Sequence, residues 1–157
     1  MRAPVSDRSE LALQLTDAVC AAYAAIQRAG DRAFRAYGLS HRAHSALTAV
    51  DQGGPDGVRP SEVAEQLGVS RAAATTFIQR LEAKALVETT PDPDDDRGVR
   101  VNLTRRGLEV LLRAGQLERR LAARTIEGMP ASAIARSLHL LQELKQRLET
   151  KQIEVVR

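Results

Sequence analysis

The chain has 157 residues, of which 43% are hydrophobic and 27% charged, with a formal net charge of +3 and a single cysteine. That length and balance suit one globular unit with a substantial core, and they exclude an internal disulfide framework. The charge is compatible with nucleic acid without demanding it, and no apolar run approaches the ~20 residues that cross a bilayer.

Residues 1 to about 8 read as a frayed arm, with no charged start followed by an apolar stretch. A cytoplasmic protein is therefore expected. From Arg8 to Ala29, Leu11, Leu15, Val19, Ala22 and Ile26 recur at three or four residues and predict an amphipathic helix. Gly30 reads as an interruption, followed by a short helical piece holding Phe34 and Tyr37 and ended by Gly38. Ser40 caps a helix over HRAHSALTAVDQ, and Gly53-Gly54-Pro55-Asp56-Gly57 breaks the chain. Val58 is a candidate for a short third strand.

Residues 60–104 organise the rest. Pro60 suits a first helical position, Val63, Ala64 and Leu67 share a face, and Gly68 supplies a left-handed stop. Ser70 caps a second helix running from Arg71 to about Lys84, with Ala74, Phe77, Ile78, Leu81 and Ala85 toward a core. Its other side carries Arg71, Ala72, Ala73, Thr75, Thr76, Gln79, Arg80 and Ala83. Small residues admit a close approach, methyls meet thymine, Gln reads adenine, and Arg reads guanine or holds phosphate. This is the pattern of a helix-turn-helix whose second helix enters a major groove; a solvated face of an ordinary helical hairpin is the plainer alternative. Leu86–Glu88 and Val99–Leu103 then alternate as two strands joined by the turn PDPDDDRG. A hairpin there is a wing. Arg97 and Arg100 are its candidates for a minor groove, and at least one of Asp94, Asp95 and Asp96 is expected to pair with Arg97 or a neighbouring arginine.

Thr104 caps a long helix to about Glu127 with Leu108, Leu111, Leu112, Leu121 and Ile126 as its apolar set. Gly128-Met129-Pro130 ends it, and a last helix to about Lys151 carries Ile134, Leu138, Leu141, Leu144 and Leu148. These terminal helices have more apolar face than a small winged domain covers. A second copy across a two-fold axis is the natural partner, with an intramolecular helical cap as the alternative.

The segments LGVSRAAATTFIQRLEAKALV and DPDDDRGVRVNLT, with Leu103, Thr104 and Gly107 in an LTxxG pattern, resemble the winged-helix domain of the MarR family of bacterial transcriptional regulators. Asp95 and Arg97 fall on that family's D-x-R wing signature. Departures are Arg59 in place of a capping Ser or Thr, Thr76 in place of a frequent Arg, and Ala85 in place of a helix-ending Gly. The resemblance covers the central third. It implies an obligate dimer with two DNA-binding lobes, so that two recognition helices meet successive major grooves about 34 Å apart and the site is near-palindromic.

The expected fold is mainly α with a small β-wing (α+β): a winged helix-turn-helix over 39–104, flanked by helical dimerisation regions 8–38 and 105–152 in one intertwined domain. Expected DNA contacts are Ser70, Arg71, Ala72, Ala73, Thr75, Thr76, Gln79, Arg80, Arg97 and Arg100, with Asp95 structuring the wing. The resemblance also implies a small effector, often phenolic or lipophilic, between the dimerisation helices and the DNA-binding lobe. Candidates for that pocket are Cys20, Tyr23, Phe34, Tyr37, His41 and His44, each with core use as its plainer reading. Cys20 is open to a redox reading, but no basic neighbour in sequence lowers its pKa. His41 and His44 share a face but lack a third metal ligand, and no metal or cofactor is expected. None of the three histidines sits in a nucleophile–base pattern, and no phosphate loop, HExxH or CxxC occurs, so no enzyme is expected. The expected function is a sequence-specific DNA-binding regulator, a repressor released by a ligand. A protein-interaction module and a small-molecule or metal carrier are the rivals.

Overall fold

The computed structural model describes residues 8–150, so the N-terminal arm and the end of the expected last helix lie outside the described residues. The order is α1 (Arg8–Phe34), α2 (His41–Gln52), α3 (Pro60–Leu67), α4 (Arg71–Glu82), β1 (Val87–Asp92), β2 (Asp95–Leu103), α5 (Arg105–Thr125) and α6 (Ala131–Thr150). The fold is mainly helical with one antiparallel two-stranded sheet, as the sequence predicts. No described helix is long and apolar enough to cross a membrane. The chain divides into two compact units, Met1–Glu118 and Arg119–Arg157.

In the first unit, Phe34, Leu47, Val50, Val63, Leu81, Val87 and Val101 are fully buried and draw α1, α2, α3, α4 and the wing onto one core. Each such side chain contributes about 1.5–3 kcal/mol relative to exposure. Ser40 caps α2 by accepting the Ala43 N–H at 3.1 Å, and Gly68 closes α3 at φ +61°. Val58 pairs with Val101 through two backbone hydrogen bonds of 3.0 and 2.8 Å, the expected third rung beside the wing.

Gly30 does not interrupt the first helix. It is buried inside α1, and a Cβ there would lie 2.2 Å from Cδ2 of His41. The glycine admits α2 against α1 rather than breaking the chain, and α1 continues to Phe34 before a 3-10 turn over Arg35–Tyr37.

Helix α4 ends at Glu82, two residues before the expected stop, and Ala85 is exposed rather than part of the apolar stripe. Ala85 adopts φ +53°, while Leu86 donates to the Leu81 carbonyl at 3.0 Å. That six-to-one bond terminates the helix in the manner that normally favours glycine. The wing also differs from expectation. Its turn is only Pro93-Asp94, because β1 runs through Asp92 and β2 starts at Asp95. Register runs from Val87↔Leu103 to Asp92↔Asp95, with an irregularity between Pro91 and Asp92.

Thr104 locks α5 onto this module. Its hydroxyl donates to the Ala85 carbonyl at 2.8 Å and accepts the Gly107 N–H at 2.9 Å. In the second unit, α6 leaves Leu138, Leu140, Leu141 and Leu148 exposed.

Candidate nucleic-acid interface

Helix α4 is set by its two ends and its buried stripe. Ser70 accepts the Ala73 N–H at 3.2 Å, and Ala74, Ile78 and Leu81 sink into the core. The opposite side is therefore turned to solvent: Ser70, Arg71, Ala72, Thr75, Thr76, Gln79 and Arg80 are exposed and Ala73 is half-buried. Thr75 and Thr76 donate their hydroxyls to the Arg71 and Ala72 carbonyls, each at 3.0 Å. What these threonines present outward is methyl surface and an acceptor oxygen. The side chains of Arg71 and Arg80 have no ion pair among the described residues. The structure thus brings the eight α4 candidates onto one open helical face with two uncommitted cations.

The wing holds its charges differently from the sequence reading. Arg97 is exposed near the tip, and its backbone N–H donates to Asp95 Oδ1 at 3.0 Å. That turn orients the tip and leaves the guanidinium without an ion pair among the described residues. Arg100, by contrast, is not open to a groove here. Its side chain is 19% exposed, with Nε on Asp92 Oδ1 at 3.0 Å and Nη2 on Asp94 Oδ2 at 2.8 Å. Asp92, whose side chain is fully buried, also accepts Arg59 Nε at 2.5 Å. The hydrogen bond from Arg59, supported by Arg100, holds the Asp92 carboxyl well below the usual carboxylate range. Of the three acids expected to pair with Arg97 or a neighbouring arginine, Asp94 does so, with Arg100, while Asp92 takes both Arg59 and Arg100. Asp92 and Arg59 are the structuring residues that sequence reading passed over. The one available signal was a run of acids needing counter-charges, with Arg59 out of pattern before α3.

The six effector-pocket candidates separate. Tyr23 and His41 line a cleft of about 190 Å³ with Gln27, Arg42, Leu67 and Phe77. Phe34 is buried and stacks on His44 with ring centroids 4.4 Å apart, so both belong to the core. Tyr37 is half-buried outside that cleft, and Cys20 is exposed on α1. No cluster of three His, Cys, Asp or Glu able to hold a metal occurs among the described residues.

Burial pushes the His44 imidazole below its ordinary value, opposed by Glu118 at 3.8 Å and reinforced by His41. Its Nε2 is buried without a hydrogen-bond partner among the described residues. The unfolded chain therefore takes up this proton more readily than the folded one, and stability is present above about pH 6.5 and lost as pH falls through the lower folded value. Thermal melts from pH 7.5 to 5 are expected to show a falling Tm, with a shallower decline in His44→Gln. An unchanged slope in that variant would place the titration elsewhere.

A MarR family model matches residues 37–98. The chain is 28% identical over 90 residues to the HTH-type transcriptional repressor IacR of Pseudomonas putida, an alignment covering 57% of this chain and 54% of that protein. The chain thus spans about half the length of this curated relative. Among solved structures, the transcriptional regulator BldR from Sulfolobus solfataricus superposes with a TM-score of 0.81 at 24% identity, covering 90% of this chain and 99% of that one. A MarR variant from E. coli complexed with operator DNA gives 0.78 at 24% identity over 88% of this chain and 99% of that one. At these identities the two structures speak for the fold.

Proposed function

We propose, from the match of residues 37–98 to a MarR family model, that the protein is a MarR-type transcriptional regulator that binds double-stranded operator DNA as a homodimer. One observation carries the reading: α4, capped by Ser70, presents Arg71, Ala72, Thr75, Thr76, Gln79 and Arg80 on a single exposed face, and Arg97 is exposed on the wing. In this reading the α4 face enters a major groove and Arg97 the adjacent minor groove. A solved structure of the same fold is complexed with operator DNA, which is in keeping with DNA as the partner, and the repressor name of a relative supports repression. Residues 39–104 form the DNA-binding part, and 8–38 with 105–152 the dimerisation part. Leu11, Leu13 and Ile26 are exposed on α1, and Leu138, Leu140, Leu141 and Leu148 on α6; each helix thus offers apolar surface to a second copy. Two lobes about 34 Å apart then read a near-palindrome.

The cleft bordered by Tyr23, Gln27, His41, Arg42, Leu67 and Phe77 is the effector site in this reading. It touches both α1 and α4, so a ligand that fits best when the recognition helices are wrongly spaced lowers operator affinity. Such coupling amounts to ~1–3 kcal/mol.

Arg80→Ala and Arg97→Ala test the contacts. Each is expected to weaken operator binding by about 1–3 kcal/mol while sedimentation still reports a dimer. Parent-like affinity in both variants would remove the two arginines from the interface. An interaction module using the same fold would bind its target with little dependence on salt or on Arg97.

A further inference from the structure

The wing is tied to the start of the helix-turn-helix at two points. The first is the pair of backbone hydrogen bonds between Val58 and Val101. The second begins one residue later, at Arg59, whose backbone N–H is accepted by Glu62 at 2.7 Å as α3 starts. Its side chain reaches across 33 positions of sequence to Asp92 Oδ2 at 2.5 Å. Asp92 Oδ1 meanwhile accepts Arg100 Nε at 3.0 Å and the Asp94 N–H at 3.1 Å. Asp94 adds a bond from Arg100 at 2.8 Å and a 3.7 Å approach to Arg59.

These contacts amount to more than a surface ion pair. Exposed pairs are worth little, but the Asp92 side chain is wholly buried, and removing either arginine would leave a buried carboxylate short of a partner. Two guanidinium groups and two carboxylates also cancel in charge, so the cluster adds no net attraction for phosphate. Its consequence is geometric. An isolated two-stranded hairpin is marginally stable at best in water. From Val87 to Asp92 the wing extends about 17 Å at ~3.3 Å per residue, so a tilt of about 10° at its root would move the tip by about 3 Å. A shift of that size takes Arg97 out of hydrogen-bond reach.

We propose that Asp92 and Arg59 are positioning residues for DNA binding: the Arg59–Asp92–Arg100 clamp fixes the wing against the residue that precedes α3 and so sets where Arg97 meets the duplex, while touching no DNA itself. The proposal rests on the DNA-binding reading above. It also assigns Arg100 to the clamp instead of to a groove.

The test compares operator affinity of the full-length parent, Asp92→Asn, Arg59→Gln and Arg97→Ala across a salt series, below their melting temperatures and with the dimer checked by sedimentation. Affinity is expected to fall roughly 3- to 30-fold in the two clamp variants, with the slope of log K against log salt unchanged. Arg97→Ala should instead lower that slope by about 1. Removing the Asp92 charge would by electrostatics alone tighten DNA binding, so the sign of the change separates positioning from net charge. Should Asp92→Asn fail to fold, Arg59→Gln carries the test, because Asp92 there keeps Arg100. Parent-like affinity in the folded clamp variants, or a slope reduced by about 1 in Arg59→Gln as for a phosphate contact, would overturn the clamp alone. A parent that binds no operator would overturn the DNA-binding reading and the clamp's role with it.

Discussion

Replacing Leu141 by aspartate is expected to give monomers and to lower operator affinity by about 10²- to 10⁴-fold, the advantage lost when two linked sites bind separately. Leu141 is 44% exposed on α6, in company with Leu138, Leu140 and Leu148. Scattered single leucines on a surface need no explanation, but several on one helix mark an interaction face. In the proposed dimer that face is covered by a second copy. A carboxylate introduced there would have to be desolvated without a partner, at a cost of several kcal/mol. Sedimentation equilibrium measures the assembly and fluorescence anisotropy the DNA binding. A dimer persisting in Leu141→Asp would move the interface off this face of α6.

Gly107→Ala is expected to destabilise the winged module by about 3 kcal/mol, which corresponds to a fall in Tm of roughly 6–12 °C for a chain of this size. The ordinary rule points the other way, since alanine in a helix interior is favoured over glycine by about 1 kcal/mol. Here the rule is overridden by contact. A Cβ on Gly107 would stand 1.8 Å from the Leu86 carbonyl oxygen, a backbone atom without freedom to withdraw. Leu86 is held by its own bond to Leu81 and by the Thr104 N–H at 3.1 Å. The only relief is to lift the start of α5 from the base of the wing, breaking the Thr104 bonds to Ala85 and Gly107. A melt that rises in Gly107→Ala would show that α5 is not seated this closely.

The Leu103-Thr104-Gly107 pattern illustrates what is legible in the residues themselves. A capping threonine and a glycine three residues later are local signals, and the structure gives both a physical use. The same holds for Ser40, Gly68 and Ser70, whose caps and left-handed turn depend on near neighbours. The exposed face of α4 follows from helical period alone.

What was not legible depends on distant partners. Gly30 looks like a break until His41 is known to lie against it. Asp92 looks like one more turn acid until Arg59 reaches it from before α3. Arg100 sits on the expected strand, but its engagement by Asp92 and Asp94 follows from burial, which spacing does not reveal. Likewise Phe34 and His44 fall to the core while Tyr23 and His41 border the cleft, a division set by how α1 and α2 pack.

The central claim is operator binding, and its most direct test is titration of the purified protein onto DNA from upstream of its own gene at two salt concentrations. The account predicts tight binding that unrelated competitor DNA does not displace, weakening steeply with salt as several phosphate contacts require. Weak binding equal for every sequence, there and on fragments selected from the whole genome, would contradict it.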